Sequence, residues 1–185
     1  MKGVVFNTFE EFVEREYGPT VLARTRETMG NPRFLVTDTY PDEQLLLYLQ
    51  KTSEHIATPA RALLTGYGRY FVTSPTVQKT YKHFYNKPNA KEFLQHLEFV
   101  CSTFTEMMAG NGRTAFEYTD PGPNQLVITY KSQTQMCEFI KALIEGVAAF
   151  YREAVQITEV TCQRRGHLHC DFHVEFLPET PPPQE

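Results

Sequence analysis

At Gly110-Asn111-Gly112 the apolar periodicity of this chain changes, from a three-four spacing before it to stretches of strict alternation after it. A helix brings residues three and four apart onto one face, whereas a strand brings every second residue there. The chain is therefore expected to form an α+β fold, with a helical N-terminal part followed by an antiparallel sheet. Before the change, Val5, Phe9, Phe12 and Val13 share a helical face that Gly18-Pro19 ends, and a second helix is expected from Thr20 to Met29, closed by Gly30-Asn31-Pro32. Asp42 to Ile56 reads as a third helix, and Thr58-Pro59 opens a fourth with proline at its first position. Aromatic residues crowd the stretch from Tyr67 to Tyr85, broken by Ser74-Pro75. The clearest helix is expected from Ala90 to Met108, along a stripe of Phe93, Leu94, Leu97, Val100, Cys101, Phe104, Met107 and Met108.

After the change, Thr114 to Tyr118 and Gln125 to Tyr130 read as strands joined by the turn-rich Thr119-Asp-Pro-Gly-Pro-Asn124. A helix from Gln135 to Arg152 follows, with Met136, Phe139, Ile140, Leu143, Ile144, Val147 and Phe150 on one face. Two further strands, Val155 to Cys162 and His167 to Phe176, flank an Arg-Arg-Gly turn. The expectation is an antiparallel sheet of about four strands with one long helix packed across it. Residues 1–177 should form one domain, and the tail from Pro178 to Glu185, with four prolines in eight residues, should be disordered.

Composition narrows the function classes. A chain of 185 residues with 41% apolar content can bury a sizeable core. Glu10, Glu11, Glu14 and Glu16 interrupt the first segment, so it does not read as a signal peptide, and no run approaches the roughly 18 apolar residues of a membrane span. A cytoplasmic location is expected, where clustered cysteines point to metal or redox chemistry rather than disulfides. The net charge of −4, without a basic cluster, argues against nucleic acid as a partner. The sequence contains no G-x-S-x-G, no Walker A pattern and no H-E-x-x-H, so a non-catalytic role is expected.

The cysteines carry the strongest chemical signal. In the final strand Cys170, Phe172, Val174 and Phe176 share one face, and His167, His169, Asp171, His173 and Glu175 share the other. Cys170 should then point inward. In the preceding strand Val155 and Ile157 differ in parity from Val160 and Cys162, which predicts a bulge near Thr158-Glu159 that turns Cys162 to the same inner face. Cys137 falls in the first turn of the covering helix, where the helix dipole favours a thiolate. Three converging sulfurs suit zinc, with Glu159 or His169 as the fourth ligand and His167 as a freer alternative. A redox-active thiol pair and three inert core cysteines are the competing readings. The outer His and acid residues read as a solvated sheet face.

The whole chain, from Met1 to about Phe176, also resembles a known family. Its opening Met1-Lys-Gly-Val-Val-Phe-Asn7 with Phe9-Glu-Glu-Phe-Val-Glu14 and Tyr17-Gly18, its block Phe93-Leu-Gln-His-Leu-Glu-Phe-Val-Cys101 and its Tyr130-Lys-Ser132 resemble haem-nitric-oxide/oxygen-binding (H-NOX, HNOB) domains. The resemblance implies a bacterial sensor domain that binds haem and a diatomic gas, and that signals to a histidine kinase or a cyclic-dinucleotide enzyme. A subset of the family shares the Cys137, Cys162 and Cys170 pattern and binds zinc there. Related vinyl-4-reductase-type domains share the Cys-rich C-terminal hairpin, and they imply an alternative role as a haem-free module for a small apolar ligand, or as a scaffold.

Two departures bear on haem. Cys101 stands where the family has its haem-ligating histidine, and Thr134 stands where the Tyr-x-Ser-x-Arg propionate motif has arginine. Cys101 reads as a thiolate ligand to haem iron, as a small buried residue on its apolar stripe, or as a bystander to haem held by another residue, for which His96 is the main substitute. Loss of the guanidinium removes the motif's only permanent positive charge, so haem binding should weaken. By the same resemblance Val5, Phe71, Phe139 and Leu143 line the gas-binding side. None of them can donate a hydrogen bond, which implies a preference for nitric oxide over oxygen.

Overall fold

The computed structural model describes residues 1–96 and 115–177. Its helical part comprises α1 (Gly3–Tyr17), α2 (Pro19–Thr28), α3 (Asp42–Ile56), α4 (Ala60–Phe71), the short α5 (Pro75–Thr80) and α6, which is described over residues 90–96. Four strands follow, β1 (Ala115–Gly122), β2 (Gln125–Lys131), β3 (Ala154–Thr161) and β4 (Cys170–Leu177), with α7 (Cys137–Phe150) between β2 and β3. The sheet is antiparallel in the order β1-β2-β4-β3. The expected helix-then-sheet architecture with a helix packed across the sheet is the one observed. The expected helix from Ala90 to Met108 lies largely outside the described residues, as do Cys101 and the tail from Pro178.

The helical lobe is organised by the inner face of α1. Val5, Phe6, Phe9, Phe12 and Val13 are buried there, and Phe9 meets both Tyr48 of α3 and Tyr67 of α4 edge-on at 5.4 and 5.2 Å between ring centroids. Such edge-to-face contacts add to the area that the rings bury. Polar pairs fix the same helix from outside this stripe. Glu10 accepts from Tyr48 and from Arg26 of α2, and Glu11 accepts from Ser74, which caps α5, and from Thr76.

Helix α7 lies between this lobe and the sheet, which explains why it is apolar on nearly every side. Phe139, Ile140, Ala142, Leu143, Ile144, Val147 and Ala148 are all buried. Its approach to α4 depends on two glycines facing each other's backbones. A Cβ on Gly68 would stand 2.6 Å from the Phe139 carbonyl oxygen, and one on Gly146 would stand 2.6 Å from that of Arg69. The crossing distance of the two helices is thus set by the absence of two side chains.

Among the boundaries that differ from the sequence expectation, three have a physical reason in the structure. Pro59 caps α4 rather than beginning it. Strand β1 continues through the expected loop to Gly122, with an irregular register between Thr119 and Gly122. Proline at 121 is tolerated because β1 is an edge strand, and the Lys91 ammonium steadies the turn by donating to Asp120 and to the carbonyls of Gly122 and Pro123. Finally, β4 begins at Cys170 rather than at His167, because a 3-10 turn at Gln163–Arg165, closed by the left-handed Gly166, takes up more of the hairpin than a tight turn would.

Candidate metal centre

The inner-face parity of the last two strands brings the cysteines together. Cys170 is fully buried at the head of β4, opposite Tyr130 of β2. In β3 the register with β4 slips between Glu159, opposite Phe172, and Thr161, opposite Asp171. The extra residue is therefore Val160, one or two positions beyond the expected bulge at Thr158-Glu159. Val160 turns outward, 52% exposed, while Glu159 stays on the inner side and Cys162 returns there. The third sulfur comes from α7. Gln135, in the left-handed region at φ 49, turns the chain sharply after β2 and delivers Cys137 as the first residue of the helix.

The Cys137, Cys162 and Cys170 sulfurs and a Glu159 carboxylate oxygen all lie within 4.8 Å of one another. Among the described residues this is the one such group of three or more ligand-type side chains. The Cys137 and Cys170 sulfurs are 3.0 Å apart. Tetrahedral zinc with bonds of about 2.3 Å places its sulfurs roughly 3.8 Å apart, so a modest outward adjustment accommodates the ion. The backbone also faces the sulfurs with donors. The Gln163 amide points at Cys170 Sγ at 3.2 Å, and the Arg164 amide donates to Cys162. Amide donors aimed at sulfur stabilise thiolate ligands in the manner of the outer partners of metal sites.

Without a cation the same crowding pushes the Cys137 and Cys162 thiols up. Burial is the main cause of the upward shift at Cys137, aided by its bond to Cys170 and by the Cys170 and Cys162 charges. Burial and the hydrogen bond to Glu159 push Cys162 up, against the Arg164 amide. This balance is what a bound cation reverses.

A carboxylate with no local signal in the sequence ties the site to the helical lobe. One oxygen of Glu138 meets Arg61 of α4 at 3.2 Å, and the other meets Arg164 of the hairpin turn at 2.7 Å. Both guanidiniums are substantially exposed, so each pair contributes no more than about 1 kcal/mol, but together they define where the hairpin sits over Cys137.

The alternative fourth ligands stand elsewhere. His169 faces away from the sulfurs and bonds Asp171 at 3.0 Å on the outer sheet face. Asp171 also accepts from Thr129 and Thr161; burial pushes its pKa up, but these bonds outweigh it and hold the carboxyl below its usual range. The His167 ring is 3.1 Å from the Cys162 carbonyl at the turn. His169 stands just before β4 with its ring turned to Asp171, so it is not among the ligand atoms that converge.

The residues expected at the gas-binding side all lie in the hydrophobic core. Val5, Phe71, Phe139 and Leu143 are all buried, and Phe71 meets Phe139 edge-on at 5.6 Å. Tyr67, which sequence reasoning passed over, stands among them 5.1 Å from Phe139, with its hydroxyl donated to the Val5 carbonyl at 2.6 Å. That donor is already engaged, so the wall is apolar in effect. Tyr130 and Ser132 are buried, with the Ser132 hydroxyl 2.9 Å from that of Thr134. His96 is exposed, with its ring 2.8 Å from the Glu92 carbonyl.

Comparison with known proteins places this arrangement. The Haem-NO-binding (HNOB) family matches residues 2–159, and the chain belongs to that family, whose members are haem-based gas-sensor domains. The fold is that of an H-NOX protein from S. oneidensis in the Fe(II)NO state, at a TM-score of 0.83 and 18% identity over 96% of this chain and 100% of that one. It is likewise that of an oxygen-binding H-NOX domain related to soluble guanylate cyclases, at 0.84 and 18% over 100% of both chains. A mutant H-NOX protein from K. algicida in the unliganded Fe(II) state matches at 0.78 and 19%, over 97% of this chain and 98% of that one. No curated protein matches the chain.

The described residues meet haem's requirements in part. The apolar wall suits a flat apolar group. The clamp does not suit an ionised propionate, because Tyr130, Ser132 and Thr134 are all neutral, and Cys101 lies outside the described residues. The cysteine cluster, in contrast, would offer zinc three sulfurs and a carboxylate, with two backbone amides facing the sulfurs.

Proposed function

We propose that this chain is a non-catalytic cytoplasmic sensor domain whose responsive element is a zinc-thiolate centre formed by Cys137, Cys162, Cys170 and Glu159. The observation that carries this reading is the convergence of four ligand atoms within 4.8 Å, from a helix and two strands. Zinc would hold α7, the hairpin and, through Glu138, the start of α4 in one arrangement. Oxidation of the thiols removes ligands and releases that hold, which gives redox sensing a structural output. The output partner, by family, is a histidine kinase or a cyclic-dinucleotide enzyme. Among the described residues no helix is long and apolar enough to cross a membrane.

A measurable consequence follows from the requirement that zinc bind cysteine as thiolate. Binding of zinc at neutral pH should release about three protons per ion, and affinity should fall as pH falls, because protons compete for the same sulfurs. Calorimetric titration with zinc in buffers of different ionisation enthalpy reads this number directly. Release of no protons would exclude thiolate coordination.

The apolar wall supports a second reading, in which the domain also takes haem and senses nitric oxide. A wall without a free donor gives bound oxygen no stabilising hydrogen bond. When the protein is purified after expression with haem supplied, haem loading should be far below stoichiometric while zinc approaches one equivalent. A strong Soret band that disappears in Cys101→Ala would instead establish thiolate-ligated haem. The haem-free alternative, a module for a small apolar ligand, relies on the same wall.

A further inference from the structure

The carboxylate of the cysteine cluster differs from the three sulfurs in its exposure. Cys137, Cys162 and Cys170 are buried, and packing fixes where their sulfurs stand, whereas the Glu159 side chain retains 24% exposure. A carboxylate at the rim of a site is well solvated when it turns outward, so its place among the ligands depends on what holds it. Two contacts do so. The Cys162 side chain bonds the carboxylate, and Nη2 of the half-exposed Arg165 stands 3.5 Å from its Oε2. We infer that Arg165 is the positioning residue that keeps Glu159 on the sulfurs and so completes the zinc ligand set.

The local chain explains why Arg165 reaches this carboxylate. Arg165 ends the 3-10 turn between Cys162 and Cys170, with its amide donating to the Cys162 carbonyl at 2.9 Å and the left-handed Gly166 following it. From there its side chain folds back over the bulge in β3, where Nη2 donates to the Glu159 backbone carbonyl at 3.2 Å. That nitrogen carries two hydrogens, so one can serve the carbonyl and the other the carboxylate of the same residue. Backbone and side chain of Glu159 are thereby tied to the turn that joins two of the cysteines. The neighbouring Arg164 is directed instead to Glu138 of α7. Charge acts in the same direction as geometry. Three thiolates and a carboxylate outweigh a divalent ion, and an adjacent guanidinium stabilises the net negative charge that remains. The pair is too exposed to matter much for the metal-free fold, so its effect falls on metal affinity.

This inference rests on the zinc-thiolate reading of the cluster, and its test separates the two. Zinc affinity of the full chain is measured under reducing conditions at neutral pH, by competition with a chromogenic chelator, for wild type, Arg165→Gln, Glu159→Gln and the double variant. Arg165→Gln should weaken zinc about tenfold, the lower end of what outer partners of a metal site contribute, because the guanidinium is half exposed. Its metal-free melting temperature should stay within about 2 °C of wild type. Arg165→Lys keeps the charge without the planar fork and should fall between the two. In the Glu159→Gln background the loss of Arg165 should cost about twofold or less, because the arginine acts through the carboxylate. Should Arg165→Gln fail to fold, Arg165→Lys decides by the same cycle. A wild-type chain that takes up no zinc overturns the zinc centre and this inference with it. Wild-type affinity in a folded Arg165→Gln variant, or a loss that is undiminished in the Glu159→Gln background, overturns the inference alone and leaves the centre standing.

Discussion

Replacing Cys162 and Cys170 together by serine should lower the zinc content from about one equivalent per chain to a trace, and remove zinc-dependent stability on the order of several kcal/mol. The two residues supply half of the ligand set, and both are held by the hairpin whose amides face the sulfurs. Serine preserves the size of each side chain, so what is lost is the soft anionic ligand. The matching control is His169→Ala, which should leave zinc unchanged, since that ring belongs to Asp171 on the opposite face. Metal analysis of both purified variants, with melting curves in the presence and absence of a chelator, checks the pair. Unchanged zinc in the double variant would count decisively against the cluster as a metal site.

The second large effect belongs to the helix crossing. Gly146→Ala should destabilise the fold by about 3 kcal/mol and lower the melting temperature by roughly 10 °C, although alanine is the better helix former by nearly 1 kcal/mol. The new methyl group would meet the Arg69 carbonyl oxygen at 2.6 Å and its Cα at 3.0 Å, backbone atoms that cannot swing aside. The helices would have to separate, which pulls α7 away from its place between lobe and sheet. Gly122→Ala, with nothing within 4 Å of the added carbon, should behave like wild type. Thermal unfolding of the two variants side by side separates crowding from a general intolerance of substitution.

Much of the fold was legible because the change in periodicity is a direct consequence of backbone geometry. The Asp42–Ile56 helix is legible from the spacing of Leu45, Leu46, Tyr48 and Leu49, and in the structure Leu45, Tyr48, Leu49 and Thr52 form its buried face. The inward direction of Cys170 followed from the parity of β4 alone. Bulge position was less legible, because the slip at Val160 is decided by register against β4, a non-local property. Glu138 and Tyr67 were missed for the same reason: each depends on partners in distant segments, Arg61 and Arg164 for the one and the Val5 carbonyl for the other. An isolated acid on a helix and a tyrosine in an aromatic-rich run carry no local signal of such partners. Glu159 entered as a candidate ligand because a bulge was expected beside it, and the bulge one residue later still leaves it on the inner face.

The zinc-thiolate centre is tested most directly by X-ray absorption at the zinc edge on the purified full chain. Three sulfurs at about 2.3 Å and one oxygen at about 2.0 Å are expected. A first shell of oxygen and nitrogen alone, or a protein without zinc after purification under reducing conditions, would contradict it.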